Sequence, residues 1–123
     1  MSFRVLLVDD NPNFLEAAKR LLEAEGLTVV ATATSAAEAI TSVHSLQPDV
    51  ALIDIKLGSE SGIELSRRLA ETSGGCGPRV VLISTHAEED FRDLIEASPA
   101  AGFVSKSGLS ASAILSVLGE QAS

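Results

Sequence analysis

The chain has 123 residues, enough for one domain with a buried core, and 46% of them are apolar while only 3% are aromatic. Its formal net charge of −8 and isoelectric point near 4.6 argue against direct binding of nucleic acid or of an anionic membrane surface. One cysteine, no signal-peptide pattern and no apolar run of membrane-spanning length predict a cytoplasmic protein.

Five apolar strand patterns alternate along the chain with five helical patterns. Most of the strand patterns are continuous apolar runs, which are typical of parallel strands covered on both faces. The predicted strands are residues 3–10, 27–33, 50–54, 79–84 and 101–106. The predicted helices run from Asn11 to Gly26, from Ser35 to Pro48, from Ser61 to Thr72, from Glu88 to Ala97 and from Ser110 to Gly119, mostly between capping residues and helix stops.

This alternation predicts one α/β domain over residues 1–123, with no effector domain in the chain. Right-handed crossovers favour a doubly wound, flavodoxin-like (βα)5 arrangement with a parallel sheet of order 2-1-3-4-5. In that order the first and third strands are central neighbours. A ligand crevice is expected between their carboxyl ends, where the winding reverses.

Four of the five predicted strands bring a polar residue to this edge of the sheet. The residues are Asp9 and Asp10, Asp54, Ser84 and Lys106. Three neighbouring carboxylates repel one another unless a cation neutralises them, and Mg²⁺ (or Mn²⁺) needs few protein carboxylates. With a metal on one side and an ammonium on the other, Asp54 can act as a nucleophile toward phosphorus, and Ser84 can donate to a phosphoryl oxygen.

Each of these residues also has a simpler interpretation when it is taken alone. Asp9 or Asp10 is more often a helix cap, and a lone lysine such as Lys106 is usually a solvated surface charge. Asp54 alone could be a cap, a structural metal ligand or a nucleophile. Independent surface residues would scatter to both ends of the sheet, so their coincidence at one edge favours a shared site.

The same residues carry a resemblance to a known family. The matching pieces are Val8-Asp9-Asp10, Asp54 within residues 52–57, Gly62 within residues 61–65, Ser84, and Lys106 within residues 102–106. From end to end, the chain resembles a response-regulator receiver domain of two-component signalling, the CheY-like type. The resemblance implies that Asp54 accepts phosphate from the phosphohistidine of a sensor histidine kinase or a histidine phosphotransfer protein.

The resemblance also implies a ligand set and a limited catalytic activity. Asp10, Asp54 and the backbone carbonyl of Lys56 would bind Mg²⁺, with Asp9 supporting the ion through water. Lys106 would contact the phosphoryl group. The implied activity is self-catalysed phosphoryl transfer with slow autodephosphorylation, and not that of a conventional enzyme.

A conformational switch is implied in the same way. Phosphate would draw the Ser84 hydroxyl inward, and Phe103 on the fifth strand would move into the vacated space. That movement repacks the face formed by helix 4, strand 5 and helix 5, through which a homodimer could form. The simpler interpretation of Phe103 is a core residue.

Three positions depart from the family pattern, and two more occupy places where receivers tune the rate of dephosphorylation. Gly58 and Ser107 stand where receivers usually carry proline, and a cis bond before a non-proline residue costs about 2.5–4 kcal/mol. Thr85 stands where a smaller residue is common and could slow entry of the donor and of water. Lys56 and His86 occupy the positions that tune dephosphorylation, so we hypothesise that they lengthen the phosphorylated state.

Other functions compete with a phosphate-accepting switch. A pseudo-receiver would share the fold but act only as a protein-interaction module, and it would not need the complete set of acids and lysine. A metal-dependent phosphatase with an aspartyl intermediate typically carries its nucleophile on the first strand, whereas Asp54 lies on the third. The chain could also be the receiver half of a transcription regulator that is truncated before its DNA-binding domain.

Overall fold

The computed structural model describes residues 3–72, 77–85 and 92–119. The strands in chain order are β1 (Arg4–Val8), β2 (Thr28–Ala33), β3 (Val50–Asp54), β4 (Lys56–Leu57), β5 (Glu60–Ser61), β6 (Arg79–Ser84) and β7 (Gly102–Ser105). The helices are α1 (Pro12–Ala24), α2 (Ala36–Leu46), α3 (Gly62–Thr72), α4 (Arg92–Glu96) and α5 (Ala111–Leu118). None of them, in the part of the chain that is described, has the length and apolar character needed to cross a bilayer.

Five of the strands form one sheet of order β2-β1-β3-β6-β7, and every neighbouring pair is parallel. Since β6 and β7 are the fourth and fifth predicted strands, the predicted doubly wound fold is confirmed. The first strand is shorter than predicted and ends at Val8, so both acids that follow lie in the turn before α1. The predicted start of the fourth helix, at Glu88, lies outside the described residues.

The core consists of two apolar layers, one on each face of the sheet. Helices α1 and α5 cover one face, while α2, α3 and α4 cover the other. Alternate residues of the central strands serve the two layers: Leu7 and Leu52 face the first, and Leu6 and Ile53 face the second. All four side chains are fully buried, which explains why these strands read as continuous apolar runs.

The N-caps predicted from the sequence are confirmed by side-chain acceptors at the helix starts. These are Asn11 Oδ1 to Asn13 N (3.0 Å), Ser35 Oγ to Glu38 N (3.2 Å), Ser61 Oγ to Glu64 N (3.2 Å) and Ser110 Oγ to Ala113 N (3.0 Å). Two helices also receive a carboxylate from a remote element. Glu60 Oε1 accepts from Ala36 N at 3.0 Å, and Glu25 Oε1 accepts from Ala111 N at 2.7 Å.

A short antiparallel hairpin, β4–β5, follows the central strand and was not predicted. Lys56 pairs with Ser61, and Leu57 pairs with Glu60 across a two-residue turn. Gly58 begins the turn with a φ of +60°, in the left-handed region that glycine tolerates. A proline, with φ fixed near −65°, cannot adopt this conformation, so this turn requires a residue other than proline at position 58.

The start of α3 packs directly against the backbone of the strand end that carries Asp54. Gly62 N donates to Ile55 O at 2.8 Å. A Cβ at Gly62 would lie 1.9 Å from the Asp54 carbonyl oxygen and 2.8 Å from its carbonyl carbon. The absence of a side chain at this position therefore allows the helix to fix Asp54 from behind.

We predict that Gly62→Ala lowers the free energy of unfolding by about 3 kcal/mol, because backbone on both sides must shift to relieve the clash. Gly108→Ala is the matched control, since a Cβ there meets nothing within 4 Å; its change should stay within about 1 kcal/mol. Urea denaturation followed by circular dichroism measures both values. Equal stability of the two variants would show that the close approach is not rigid.

Candidate functional site

The predicted site residues converge on the carboxyl edge of the sheet. Asp9 follows β1, Asp54 ends β3, Ser84 ends β6, and Lys106 follows β7 directly. Asp9, Asp54 and Ser84 are buried, with relative exposures of 0%, 7% and 2%. Buried polar side chains are uncommon unless they are partnered, so this edge is a specialised polar site within an apolar core.

The three acids form one cluster of oxygen donors. Asp9, Asp10 and Asp54 each offer a carboxylate oxygen, and these atoms all lie within 4.8 Å of one another. Asp10 is exposed, whereas its two partners are buried. A Cβ at Gly58 would lie 3.7 Å from Asp10 Oδ2, so the β4–β5 hairpin borders the cluster.

Lys106 links two of these carboxylates. Its Nζ lies 2.5 Å from Asp9 Oδ2 and 3.0 Å from Asp54 Oδ2, and its side chain is 14% exposed. Burial alone would lower the pKa of Lys106, but the contacts with Asp9 and Asp54 outweigh it and raise this pKa above its usual value. The ammonium therefore stays charged at neutral pH.

Asp9 is the most deeply enclosed of the acids. Burial raises its pKa; contacts with Lys106 and with the Asn11 N–H oppose the rise, and the neighbouring Asp54 charge adds to it. Asp9 Oδ1 accepts from Asn11 N at 2.9 Å. Its Oδ2 meets Lys106 as an ion pair but has no hydrogen bond of regular geometry among the described residues.

These donors fit a hard divalent cation. Carboxylate oxygens are the ligands that Mg²⁺ prefers, and a cluster with an exposed member leaves room for the waters that Mg²⁺ retains. Asp54 Oδ1 accepts from the backbone N–H of Lys56 at 3.1 Å, which orients the carboxylate at the end of β3. The charge balance points the same way, because the Lys106 ammonium pairs with two acids of this cluster of three.

The remaining predicted residues lie around this cluster. The Lys56 side chain and Thr85 are exposed at its rim, and Phe103 is partly buried against the layer formed by α2, α3 and α4. Ser84 lies one residue beyond Ile83, which is paired with Asp54 in the sheet. His86 lies outside the described residues, so its predicted place at the rim stays a prediction.

The turn after Lys106 replaces the usual proline by hydroxyl contacts. Residues Lys106–Gly108 form a 3-10 turn, and the described residues contain no cis peptide bond. Ser105 Oγ accepts from Ser107 N at 3.3 Å, and the two hydroxyl oxygens lie 2.8 Å apart. Ser107 thus shapes the turn locally.

One contact of the site was missed by sequence reasoning. The Phe14 ring centroid lies 4.4 Å from Lys106 Nζ. Phe14 is also partly buried against the apolar layer beneath α1 and α5, so its ring lies between that layer and the site. The available signal was its place in the first turn after the Asn11 cap, because that turn starts at the edge of the sheet where the acids meet.

Comparisons with known proteins agree with this geometry. The family model described as response regulator receiver domain matches residues 5–117. The chain is 33% identical over 104 residues to Response regulator GacA of Pseudomonas viridiflava, covering 84% of this chain and 48% of that protein. It is 28% identical over 106 residues to the transcriptional regulatory protein YvfU of Bacillus subtilis, covering 85% and 52%.

Solved structures show the same likeness. A two-component response regulator of the LuxR family from Aurantimonas sp. SI85-9A1 superposes with a TM-score of 0.84 and 28% identity, over 100% of this chain and 90% of that one. The chain spans about half the length of the curated relatives it matches.

We predict that Lys106→Met lowers the free energy of unfolding of the metal-free protein by about 3 kcal/mol, because two buried carboxylates lose their counter-ion. Lys56→Met, which removes an exposed ammonium, is the control and should change stability by less than about 0.5 kcal/mol. Denaturant titration in the presence of a chelator measures both. If the two variants were equally stable, the Lys106 ion pairs would make no net contribution.

Proposed function

The chain belongs to the response regulator receiver domain family, and from this premise we propose that it is a phosphate-accepting switch of a two-component phosphorelay. The proposed acceptor is Asp54, and the proposed donor is the phosphohistidine of a sensor histidine kinase or a histidine phosphotransfer protein. The observation that carries the proposal is the placement of Lys106 Nζ 3.0 Å from Asp54 Oδ2 beside two further acids.

The proposed reaction is an in-line displacement at phosphorus. An Asp54 carboxylate oxygen forms the new P–O bond while the P–N bond of the donor phosphohistidine breaks, and the imidazole leaves. Lys106 neutralises charge on the phosphoryl oxygens, and the Ser84 hydroxyl donates to another of them. The Lys56 N–H bond to Asp54 Oδ1 limits rotation of the nucleophile.

The acidic cluster is proposed to hold Mg²⁺ (or Mn²⁺) during transfer. Asp10, Asp54 and the backbone carbonyl of Lys56 would be the protein ligands, and Asp9 would act through water. When bound, the ion supplies positive charge against the phosphoryl oxygens. The ion pair with Lys106 orients the buried carboxylate of Asp9 toward the water that it would hold.

The readout is proposed to run through the face formed by α4, β7 and α5. Ser84 pairs with Ser105 of β7, and Phe103 lies on the same strand, partly buried against the layer that includes Ile95 of α4. Leu94 of α4 is 51% exposed. Phe103 lies between the site and α4, so a change of charge at the site can be transmitted through it to the surface. The surface around Leu94 is the proposed contact for a homodimer.

A longer regulator is the second candidate for the protein's biological context. It is favoured by the length of the chain, which is about half that of its curated relatives, one of which is named a transcriptional regulatory protein. In that case this domain would be the receiver half of a transcription regulator, and nucleic acid would be bound by another part of the protein. The proposed location in either case is the cytoplasm.

We expect incubation with Mg²⁺ and acetyl phosphate to add one phosphoryl group to the protein, detected by intact-mass spectrometry. The adduct should be absent in Asp54→Asn and when a chelator removes the metal, because the nucleophile or the neutralising charge is then missing. Asp49→Asn is the matched control: Asp49 lies before β3, at the opposite end of the strand, and asparagine keeps an oxygen for its bond to Arg4 N. No adduct at any donor concentration would favour a pseudo-receiver that acts as an interaction module.

Lys56, Thr85 and His86 are proposed to set the lifetime of the phosphate. An exposed ammonium at Lys56 can attract phosphoryl oxygens and hinder a water molecule in line with the P–O bond. Thr85 narrows the path by which the donor and water reach Asp54. We predict that Lys56→Ala speeds hydrolysis about two- to fivefold, the range expected for loss of one exposed charge contact.

The decay of the isolated phosphoprotein after removal of the donor gives this rate directly. Lys19→Ala, which removes an exposed lysine from α1, serves as the control and should leave the decay unchanged. Decay rates of Lys56→Ala and His86→Ala equal to that of the unmodified protein would show that neither residue tunes the phosphate.

A further inference from the structure

We propose that Phe14 is a positioning residue for Lys106, holding the ammonium beside Asp54 through a cation–π contact. This inference rests on the proposed phosphoryl transfer to Asp54. It assigns to α1 a part in the reaction beyond packing against the sheet. It also gives Lys106 a partner that is neither a carboxylate nor a phosphoryl oxygen.

The geometry meets the requirements of such a contact. Lys106 Nζ lies 4.4 Å from the centre of the Phe14 ring, inside the limit of about 6 Å for a favourable interaction. The Lys106 ammonium has three N–H donors, and its ion pairs with the Asp9 and Asp54 carboxylates occupy two directions around Nζ. The ring covers another side of the same nitrogen. With the Lys106 side chain only 14% exposed, water competes weakly for this position.

The ring is itself held in place. Phe14 N donates to Asn11 Oδ1 at 3.4 Å in the first turn of α1. The side chain is partly buried against the apolar layer beneath α1 and α5. A partner anchored by both backbone and core can fix a flexible lysine, whose four-carbon stem otherwise has many rotamers.

During the proposed transfer the electrostatic surroundings of Asp9 and Asp54 change, so the Phe14 ring is the partner of Lys106 that stays constant. Asp54 loses one negative oxygen to the new bond with phosphorus, and Asp9 faces the incoming cation. The quadrupole of Phe14 does not change during the transfer. The ring therefore keeps Nζ in position while its contact with Asp54 is replaced by one with a phosphoryl oxygen.

Site-specific replacement of Phe14 by phenylalanines carrying one, two and three fluorines tests this role. Fluorine withdraws charge from the ring face and leaves the shape nearly unchanged. The measured quantity is the second-order rate constant of phosphorylation by acetyl phosphate at saturating Mg²⁺. We expect it to fall stepwise with each fluorine, to roughly 5- to 30-fold below the starting value when the contact is abolished. Phe14→Tyr, which keeps the ring face, should retain most of the rate.

The same fluorinated series at Phe3 is the matched control, because Phe3 is also partly buried against the layer beneath α1 and α5 but precedes β1 at the opposite end of the strand. The rate constants of the Phe3 series should not change.

A second readout, by NMR, needs neither metal nor donor. Shielding by the Phe14 ring should move the Lys106 ε-methylene proton resonances upfield, and Phe14→Leu should abolish that shift.

The outcomes separate the two proposals. A protein that takes up phosphate at the same rate with every fluorinated Phe14 overturns the positioning role and leaves the proposed function intact. Equal losses in the Phe14 and Phe3 series would also overturn it, since they would reflect stability alone. If the unmodified protein takes no phosphate, the proposed function fails, and the role of Phe14 fails with it.

Discussion

The ion pairs of Lys106 with Asp9 and Asp54 are the interaction on which the site depends. Carboxylates brought this close at the edge of an apolar sheet repel one another, and one ammonium compensates for part of that charge. The fold makes the encounter unavoidable, because the strands that end at these residues are parallel and hydrogen-bonded in one sheet. Gly62 fixes the strand end from behind, and Asn11 N holds the remaining oxygen of Asp9. The excess negative charge that is left over is the physical basis for proposing a divalent cation.

The same strands form the proposed route from the site to the surface. Ser84 is paired with Ser105, which immediately precedes Lys106, so two groups proposed to contact the phosphoryl oxygens lie at the ends of adjacent strands. Phe103 stands two residues earlier on β7 and is only partly buried, and it packs toward the layer that includes α4. Partial burial leaves Phe103 less constrained than the central strands, which have no exposed apolar surface, and this is why Phe103 is the proposed switch residue.

Much of the fold and of the site could be predicted from the sequence because the signals are local. Continuous apolar runs mark buried parallel strands, capping residues mark helix starts, and the residue at each strand end defines the edge of the sheet. The missed features depend on distant pairs or on very short segments. The two-residue strands of the β4–β5 hairpin carry no periodic pattern, the bond from Glu25 to Ala111 spans most of the chain, and the ring of Phe14 meets Lys106 only after folding. Tertiary packing, which local patterns do not encode, determined the last two of these.

A crystal structure of the protein with Mg²⁺ and beryllium fluoride, a phosphoryl analogue that adds to carboxylates, tests the central claim most directly. The account predicts that the analogue is bound to Asp54, that Mg²⁺ lies between it and Asp10, and that Lys106 Nζ has moved from Asp54 Oδ2 to a fluoride while staying over the Phe14 ring. A structure obtained at saturating concentrations with Asp54 unmodified, or with the analogue at another carboxylate, would contradict the account.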